Sequence, residues 1–296
     1  MDGTLQYLSG TLYLVATPIG NLEDLTLRAL RVLRDDAAVI ACEDTRQTQK
    51  LLEHYEIRKP LLSYHEHNEA SRTAEILKRL AEGESVALVS DAGTPLISDP
   101  GYRVVTEAAA RGVKVVPIPG PSAAMTALVA SGLPTDEFRF IGFLPPKSAA
   151  RRRRLETLKD ETATVVLYES PHRIVDALAD MAEILGERPM VLARELTKIY
   201  EEFLRGTPDE IRKALAGRGT VKGEITLVIG GAGEVVQSGD PAAEVARLKG
   251  EGVDPMEAIK RVAKQMGLPK REVYRLAMAE GSNPPDTRQD TARKDR

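Results

Sequence analysis

Residues 85–101 read SVALVSDAGTPLISDPG, an apolar run that breaks into an acidic loop punctuated by Gly and Pro and then opens a helix. Residues 85–90 predict a buried parallel strand, and residues 102–110, with Gly112 beyond them, predict a helix and its stop. The loop therefore lies at the carboxyl end of a strand. In open α/β sheets ligands bind at that edge, because loops from several strands converge there and helix N-termini offer free N–H groups. Asp91 becomes a candidate ligand contact. The alternative is that Asp91, Gly93 and Pro95 only shape a turn, and neighbouring loops decide between the two readings.

From Leu12 to Ile118 the same rhythm repeats: TLYLVATPIGN, AAVIACED, SVALVSDAGTP and KVVPIPGPSA are apolar runs, the first three each followed by a helical pattern. Such β–α alternation implies a mostly parallel sheet with helices on both faces. Asn21 suits an N-cap for a first helix lined by Leu22, Leu25, Ala29, Val32 and Leu33. Past Leu133, strand-like FRFIGFLPP, ATVVLYES, RPMVLAREL, EEFLRG and GEITLVIGG are joined by helices at 171–185 and 208–216, the latter with Thr207 and Pro208 as N-cap and N1. Short gaps between strands predict a mixed sheet with antiparallel pairing.

The expected fold class is α/β: two α/β domains with a cleft between them and a small helical unit. The expected divisions are a flexible N-terminus (1–10), an N-terminal α/β domain (11–118), a C-terminal α/β domain (119–231), a Gly-rich linker (232–252), a helix-turn-helix-like unit (253–281) and a disordered tail (282–296). In the small unit, Asp254 and Pro255 open a helix that Gly267 ends. Ala263, Gly267 and Val273 have helix-turn-helix spacing, which also occurs in merely structural helix pairs.

Composition narrows the function. At 42% hydrophobic and 29% charged the chain reads as globular, and its one cysteine, Cys42, excludes a disulfide framework or a Cys-rich zinc site. The absence of a long apolar run or a leader pattern gives a cytoplasmic expectation with no membrane partner. A net charge of −3 exerts no global pull on nucleic acid, so an RNA partner must meet local basic patches. One patch is Lys147 with residues 151–154, and the other is Lys260, Arg261, Lys264, Lys270, Arg271 and Arg275. With no Trp and 4% aromatic residues, a base-stacking platform is poorly supplied.

Two more loops join the Asp91 loop on one rim: residues 16–21 (ATPIGN) and 119–124 (PGPSAA). Gly20, Gly93 and Gly120 permit close backbone approach, while Ser122 and Asp91 offer polar contacts suited to a partly cationic metabolite. Neither the dinucleotide fingerprint nor the GxxxxGK[ST] phosphate loop occurs. Residues 120–124 could be a degraded nucleophile elbow with Asp160 and His172, but Pro121 and Ala124 argue against the strained turn. His65-Glu66-His67 lacks a third metal ligand, so no metal is expected. Charged Glu169-Ser170-Pro171-His172-Arg173 and Arg194-Glu195-Leu196-Thr197-Lys198 end apolar strands, where charge is paired or used. Glu169, Glu195 and Lys198 are therefore candidate base and charge partner, with an Arg–Glu brace as the alternative.

The ordered motifs ATPIGNLEDLTLRAL, ACEDTR, SDAGTPLISDPG, PIPGPSA, YESPHR, ARELTK and GEITLVI resemble the small-subunit ribosomal RNA methyltransferase I family of the tetrapyrrole methylase fold, from Leu12 to about Ala279. The resemblance implies an S-adenosylmethionine enzyme that methylates the ribose 2′-hydroxyl of a cytidine in the decoding region of 16S rRNA, alone or in the small subunit, as a homodimer. It places the donor against Pro18, Asp91, Thr94, Ser122 and Ala123, with Gly20 and Gly93 serving the geometry and Tyr168 and Leu204 closing from the second domain. Arg46, Arg173 and Arg194 are expected at RNA phosphates, with Lys264, Lys270 and Arg271 from the terminal patch. Other members of the fold methylate small molecules, so a tetrapyrrole-like acceptor is the alternative, and a non-catalytic ribosome-binding role a third.

Overall fold

The computed structural model describes residues 8–233, 240–266 and 268–279; the expected tail and the turn residue Gly267 lie outside them. The first sheet is fully parallel. It is built in chain order from β1 (Leu8–Val15), α1 (Leu27–Arg31), β2 (Val39–Cys42), α2 (Thr45–His54), β3 (Leu61–Ser63), α3 (Glu69–Ala81), β4 (Val86–Val89), α4 (Tyr102–Ala110) and β5 (Val113–Ile118), with strand order β3-β2-β4-β1-β5. The strand and helix read from residues 85–110 are β4 and α4. β4 is buried on both faces, as a parallel strand must be: Val86 and Leu88 pack toward α3 and α4, while Ala87 and Val89 pack toward the helices that follow β1 and β2. Burying a whole Val or Leu side chain in this way contributes roughly 1.5–3 kcal/mol.

Two local expectations are corrected here. Residues 8–10, placed in a flexible terminus, belong to β1, because Leu8 pairs with Val113 of β5. Asn21 caps only a short turn (Leu22–Asp24), accepting from the Glu23 N–H, and Thr26 caps the helix proper by accepting from the Ala29 N–H at 3.1 Å. Leu22 consequently stays exposed while Leu25, Ala29, Val32 and Leu33 are buried.

The next helix, α5 (Ala123–Ser131), leaves the first sheet and joins the second. That sheet comprises β6 (Phe138–Phe143), β7 (Thr164–Glu169), β8 (Met190–Arg194), β9 (Glu202–Gly206) and β10 (Ile225–Ile229), in the order β6-β7-β10-β8-β9. Only β6 and β7 run parallel, which gives the mixed pairing expected. α6 (Ser148–Glu156), α7 (Ile174–Leu185) and α8 (Pro208–Ala216) cover one face; Thr207 and Glu210 close a capping box on α8. Ala124, Ala127 and Leu128 of α5 and Ile19 of the first rim loop pack on the other. Both sheets thus belong to one compact unit that ends at Ala232.

A second unit holds α9 (Pro241–Gly250), α10 (Pro255–Gln265) and α11 (Lys270–Ala279) around Val245, Leu248, Ile259, Val262 and Val273. The linker expected over 232–252 is corrected by α9. Asp240 caps it, Pro241 opens it, and Ala242, Val245 and Leu248 recur at helical spacing to bury one face.

Part of the first basic patch is structural. Arg151 is buried, and its guanidinium meets the Asp180 carboxylate at 2.6 Å, while Arg152 pairs with both Asp180 and Glu183. Removing one partner of a buried pair strands the other charge. Asp180→Ala is expected to cost about 3–5 kcal/mol in urea unfolding. A loss under about 1 kcal/mol would show that Arg151 finds another partner or water.

Candidate active site

The three rim loops follow adjacent strands β4, β1 and β5, and they are fastened into a ring. Thr17 and Gly93 exchange two backbone hydrogen bonds of 2.9 Å, and the Thr17 hydroxyl donates to the Ser90 carbonyl at 3.0 Å. The Thr94 hydroxyl donates to the Pro121 carbonyl at 3.0 Å, joining the second loop to the third. The third closes on the first at Gly120, where a Cβ would stand 2.8 Å from that of Ala16. A fourth loop is tied in by Asp91, whose carboxylate accepts from the Asp44 N–H at 3.0 Å. Gly93 sits at φ +83°, a left-handed conformation that costs a side chain roughly 1–2 kcal/mol.

Between this ring and the second sheet lies a cavity of about 440 Å³, within the range of small-molecule sites. Asp91, Gly93, Thr94, Ser122 and Ala123 line it from the first side, and Tyr168, Glu169 and Leu196 from the second. Tyr168 stands edge-on to Phe140 and Phe143, with ring centroids 5.0 and 5.6 Å apart, and Phe143 also faces the cavity. Among the described residues, four of the five non-glycine residues with positive φ border this space or its wall loops: Leu96, Ser98, Glu195 and Thr197. Strain of about 1–3 kcal/mol per residue concentrated at one place is typical of a functional cleft.

The lining is acidic. Glu43, Asp91, Asp99, Glu169 and Glu224 contribute five carboxylates, with no Lys, Arg or His among the lining residues. Burial, together with the Asp91 and Glu66 carboxylates, pushes the Glu43 carboxyl up. Asp99 is pushed up to about 6 by burial and by the charges of Glu43 and Asp91. Glu169 is 3% exposed; its Oε1 meets Arg173 at 2.7 Å, while its buried Oε2 has no partner.

Several expected site residues lie elsewhere. Leu204 pairs across from Leu192 and packs into the core on the far face of the second sheet, away from Tyr168, so it does not close the cavity; Phe203, its neighbour, packs on the Tyr168 side. Pro18 and Gly20 flank the lining residue Ile19 without lining the cavity. Gly20 instead seats the loop on the second sheet, since a Cβ there would stand 2.4 Å from Lys198 Cγ. Ser122 is extended and accepts from the Met125 N–H, so it caps α5 and is no elbow nucleophile.

Glu195 and Lys198 are outside the cavity lining and are paired to each other at 2.8 Å. The hydrogen bond from Lys198 holds the Glu195 carboxyl below its usual range. Burial opposes the Lys198 charge, but bonds to Glu195 and Glu224 outweigh it and raise its pKa. Both are therefore poor proton acceptors. Arg173 is engaged by Glu169, Arg194 by Glu202 at 3.1 Å, and Arg46 by Asp44. Lys270 and Arg271 are exposed; the Lys264 side chain is outside the described residues.

A model of the tetrapyrrole (corrin/porphyrin) methylases matches residues 11–212. Ribosomal RNA small subunit methyltransferase I of Halalkalibacterium halodurans is 53% identical over 274 residues, covering 90% of this chain and 94% of that one. The Bacillus subtilis protein of the same name is 47% identical over 273 residues, with 90% and 93% covered. The chain belongs to the ribosomal RNA small subunit methyltransferase I family, within the tetrapyrrole methylases. It is a methyltransferase by family, and its fold is also that of solved tetrapyrrole methylases. A uroporphyrin-III C-methyltransferase from Thermus thermophilus aligns at TM-score 0.52 with 20% identity, covering 75% of this chain and 97% of that one, in complex with S-adenosyl homocysteine. Cobalt precorrin-4 methyltransferase aligns at TM-score 0.56 with 19% identity, over 74% and 94% of the two chains.

The ring makes a direct prediction. Gly93→Ala should lower stability by about 1–2 kcal/mol through its positive φ. Urea unfolding of the variant within about 0.5 kcal/mol of the parent would show that the loop relaxes without strain.

Proposed function

We propose that this methyltransferase transfers the methyl group of S-adenosylmethionine to the ribose 2′-hydroxyl of a cytidine in the decoding region of 16S rRNA. The observation that carries the donor assignment is the acidic lining. S-adenosylmethionine supplies an electrophilic methyl on a cationic sulfonium, and five carboxylates with no lysine or arginine suit a cation and repel phosphate. Gly93 lets backbone approach a ligand, Asp91, Thr94 and Ser122 supply polar groups, and the unpartnered Glu169 Oε2 is available to a donor hydrogen.

RNA phosphates are disfavoured inside such a cavity, so only the target nucleoside enters it. The backbone is held outside it, and the exposed Lys270 and Arg271 of the second unit supply cationic groups for phosphate. Phe143, 55% exposed on the cavity wall, offers a face on which the flipped base stacks. The protein works in the cytoplasm, where its rRNA substrate is made; no described helix is long and apolar enough to cross a membrane. A second copy completes the reading as a homodimer, which would cover exposed apolar side chains such as Ile199 and Tyr200.

The deciding experiment supplies labelled S-adenosylmethionine with unmodified 16S rRNA and with small subunits, then maps the label by nuclease digestion. Label on a cytidine ribose is expected. Transfer only to a small-molecule acceptor would overturn the RNA assignment, and absence of donor binding would overturn the cavity assignment. Phe143→Ala should raise KM for the RNA about tenfold while leaving donor Kd within about twofold, given about 1–3 kcal/mol per base stack. A change in donor Kd alone would place the ring against the donor instead.

A further inference from the structure

We propose that the Asp99 carboxylate takes the proton from the acceptor hydroxyl during methyl transfer, an inference that rests on the ribose-methylation reading. Asp99 sits in the loop between β4 and α4, a loop that residues of both sheets contact. Leu96 and Ser98 on its N-terminal side each hold φ +70°. Gly101 beyond it holds φ +137°, with a Cβ position 2.9 Å from Leu88 Cδ2. From the second sheet, the Cβ position of Gly142 lies 3.3 Å from Ser98 Oγ. The loop is thus pinned from both sides, and Asp99 forms part of the cavity wall.

The groups that face it are Glu43 and Asp91 from the first sheet's loops, Tyr168 from β7, the Ser90 hydroxyl, and Tyr64, with which it shares a smaller recess. No arginine or lysine pairs with it among the described residues. Three of the other four lining carboxylates already hold a partner, Glu169 through only one of its two oxygens. Asp91 accepts from the Asp44 N–H, Glu169 is held by Arg173 and the Ser170 N–H, and Glu224 is bonded by Lys198. Glu43 is exposed on the wall, whereas Asp99 is half-buried. Its pKa of about 6 leaves it ionised at neutral pH yet more basic than an ordinary aspartate, the combination that favours a general base.

The step balances without a further reactant. The O2′–H bond breaks and its proton goes to Asp99, while the O2′–CH3 bond forms. The carbon–sulfur bond breaks and its electron pair remains on sulfur, leaving a neutral thioether, and Asp99 returns the proton to water.

The test uses the full chain with S-adenosylmethionine and whichever RNA form the parent protein methylates. Asp99→Asn should lower kcat about 10²–10⁴-fold with donor Kd little changed, and Asp99→Glu should recover part of the loss. In the parent, kcat should rise with pH through the region near 6 and then level off, and Asp99→Asn should lose that limb. A readout independent of turnover is the infrared difference spectrum between parent and Asp99→Asn, in which a carboxyl band should titrate near pH 6. Turnover of Asp99→Asn within about tenfold of the parent would overturn the inference. So would collapse of turnover in Glu43→Gln alone, with Asp99→Asn still active. If the folded parent methylates no RNA, the ribose-methylation reading fails and this inference with it, which separates the two failures.

Discussion

The paired hydrogen bonds between Thr17 and Gly93 are the constraint on which the site depends. They lock the loop after β1 to the loop after β4, two neighbouring strands of a parallel sheet, and they require a left-handed residue that only glycine adopts at little cost. The third loop joins through Thr94 and Pro121, and the Ala16–Gly120 contact leaves no room for a side chain. A rigid ring of backbone is the result. Because α5 departs from that ring to pack on the second sheet, the ring and the opposite wall are fixed by the same short segment, residues 119–123. The cavity is therefore a property of the main chain, and its side chains are free to carry chemistry.

That freedom is spent on negative charge. Five carboxylates face a space of about 440 Å³, while arginines that could have entered it are held by ion pairs at its edge. Such a lining attracts a cation and excludes the phosphodiester backbone, so binding and positioning of RNA separate physically from methyl transfer. Orientation can contribute up to roughly 7–11 kcal/mol to a bimolecular reaction, and a base less, so a rigid ring facing a half-buried carboxylate without a cationic partner meets the demands of methyl transfer. The local strain at Leu96 and Ser98 fits this picture, since it fixes Asp99 against the wall.

Much of this was legible in the chain because the signals were local. β4 and α4 followed from an apolar run, a Gly- and Pro-rich loop and a Gly stop, and the three rim loops were each visible as a strand-to-helix break. Asp91, Gly93, Thr94, Ser122, Ala123 and Tyr168 do line the cavity. What depended on register was not legible. Leu204 and Phe203 differ by one residue, and a single step along a strand reverses the face. Pairing was equally hidden: Lys198 with Glu195, Arg194 with Glu202 and Arg151 with Asp180 satisfy charges that sequence alone leaves open. Asp99 stood in the decisive stretch itself, but its half-burial and its closeness to Glu43 and Asp91 arise from the folding of separate loops, which the loop's own residues do not announce. Helix α9 was masked by flanking glycines, although Asp240 and Pro241 carried its start signal.

The most direct measurement is a crystal structure with S-adenosyl homocysteine bound. The account predicts the ligand inside the cavity, against residues 91–94 and 122–123 on one side and Tyr168 on the other. A ligand seated outside the cavity, or a cavity closed to it in a protein that still transfers methyl groups, would contradict the account.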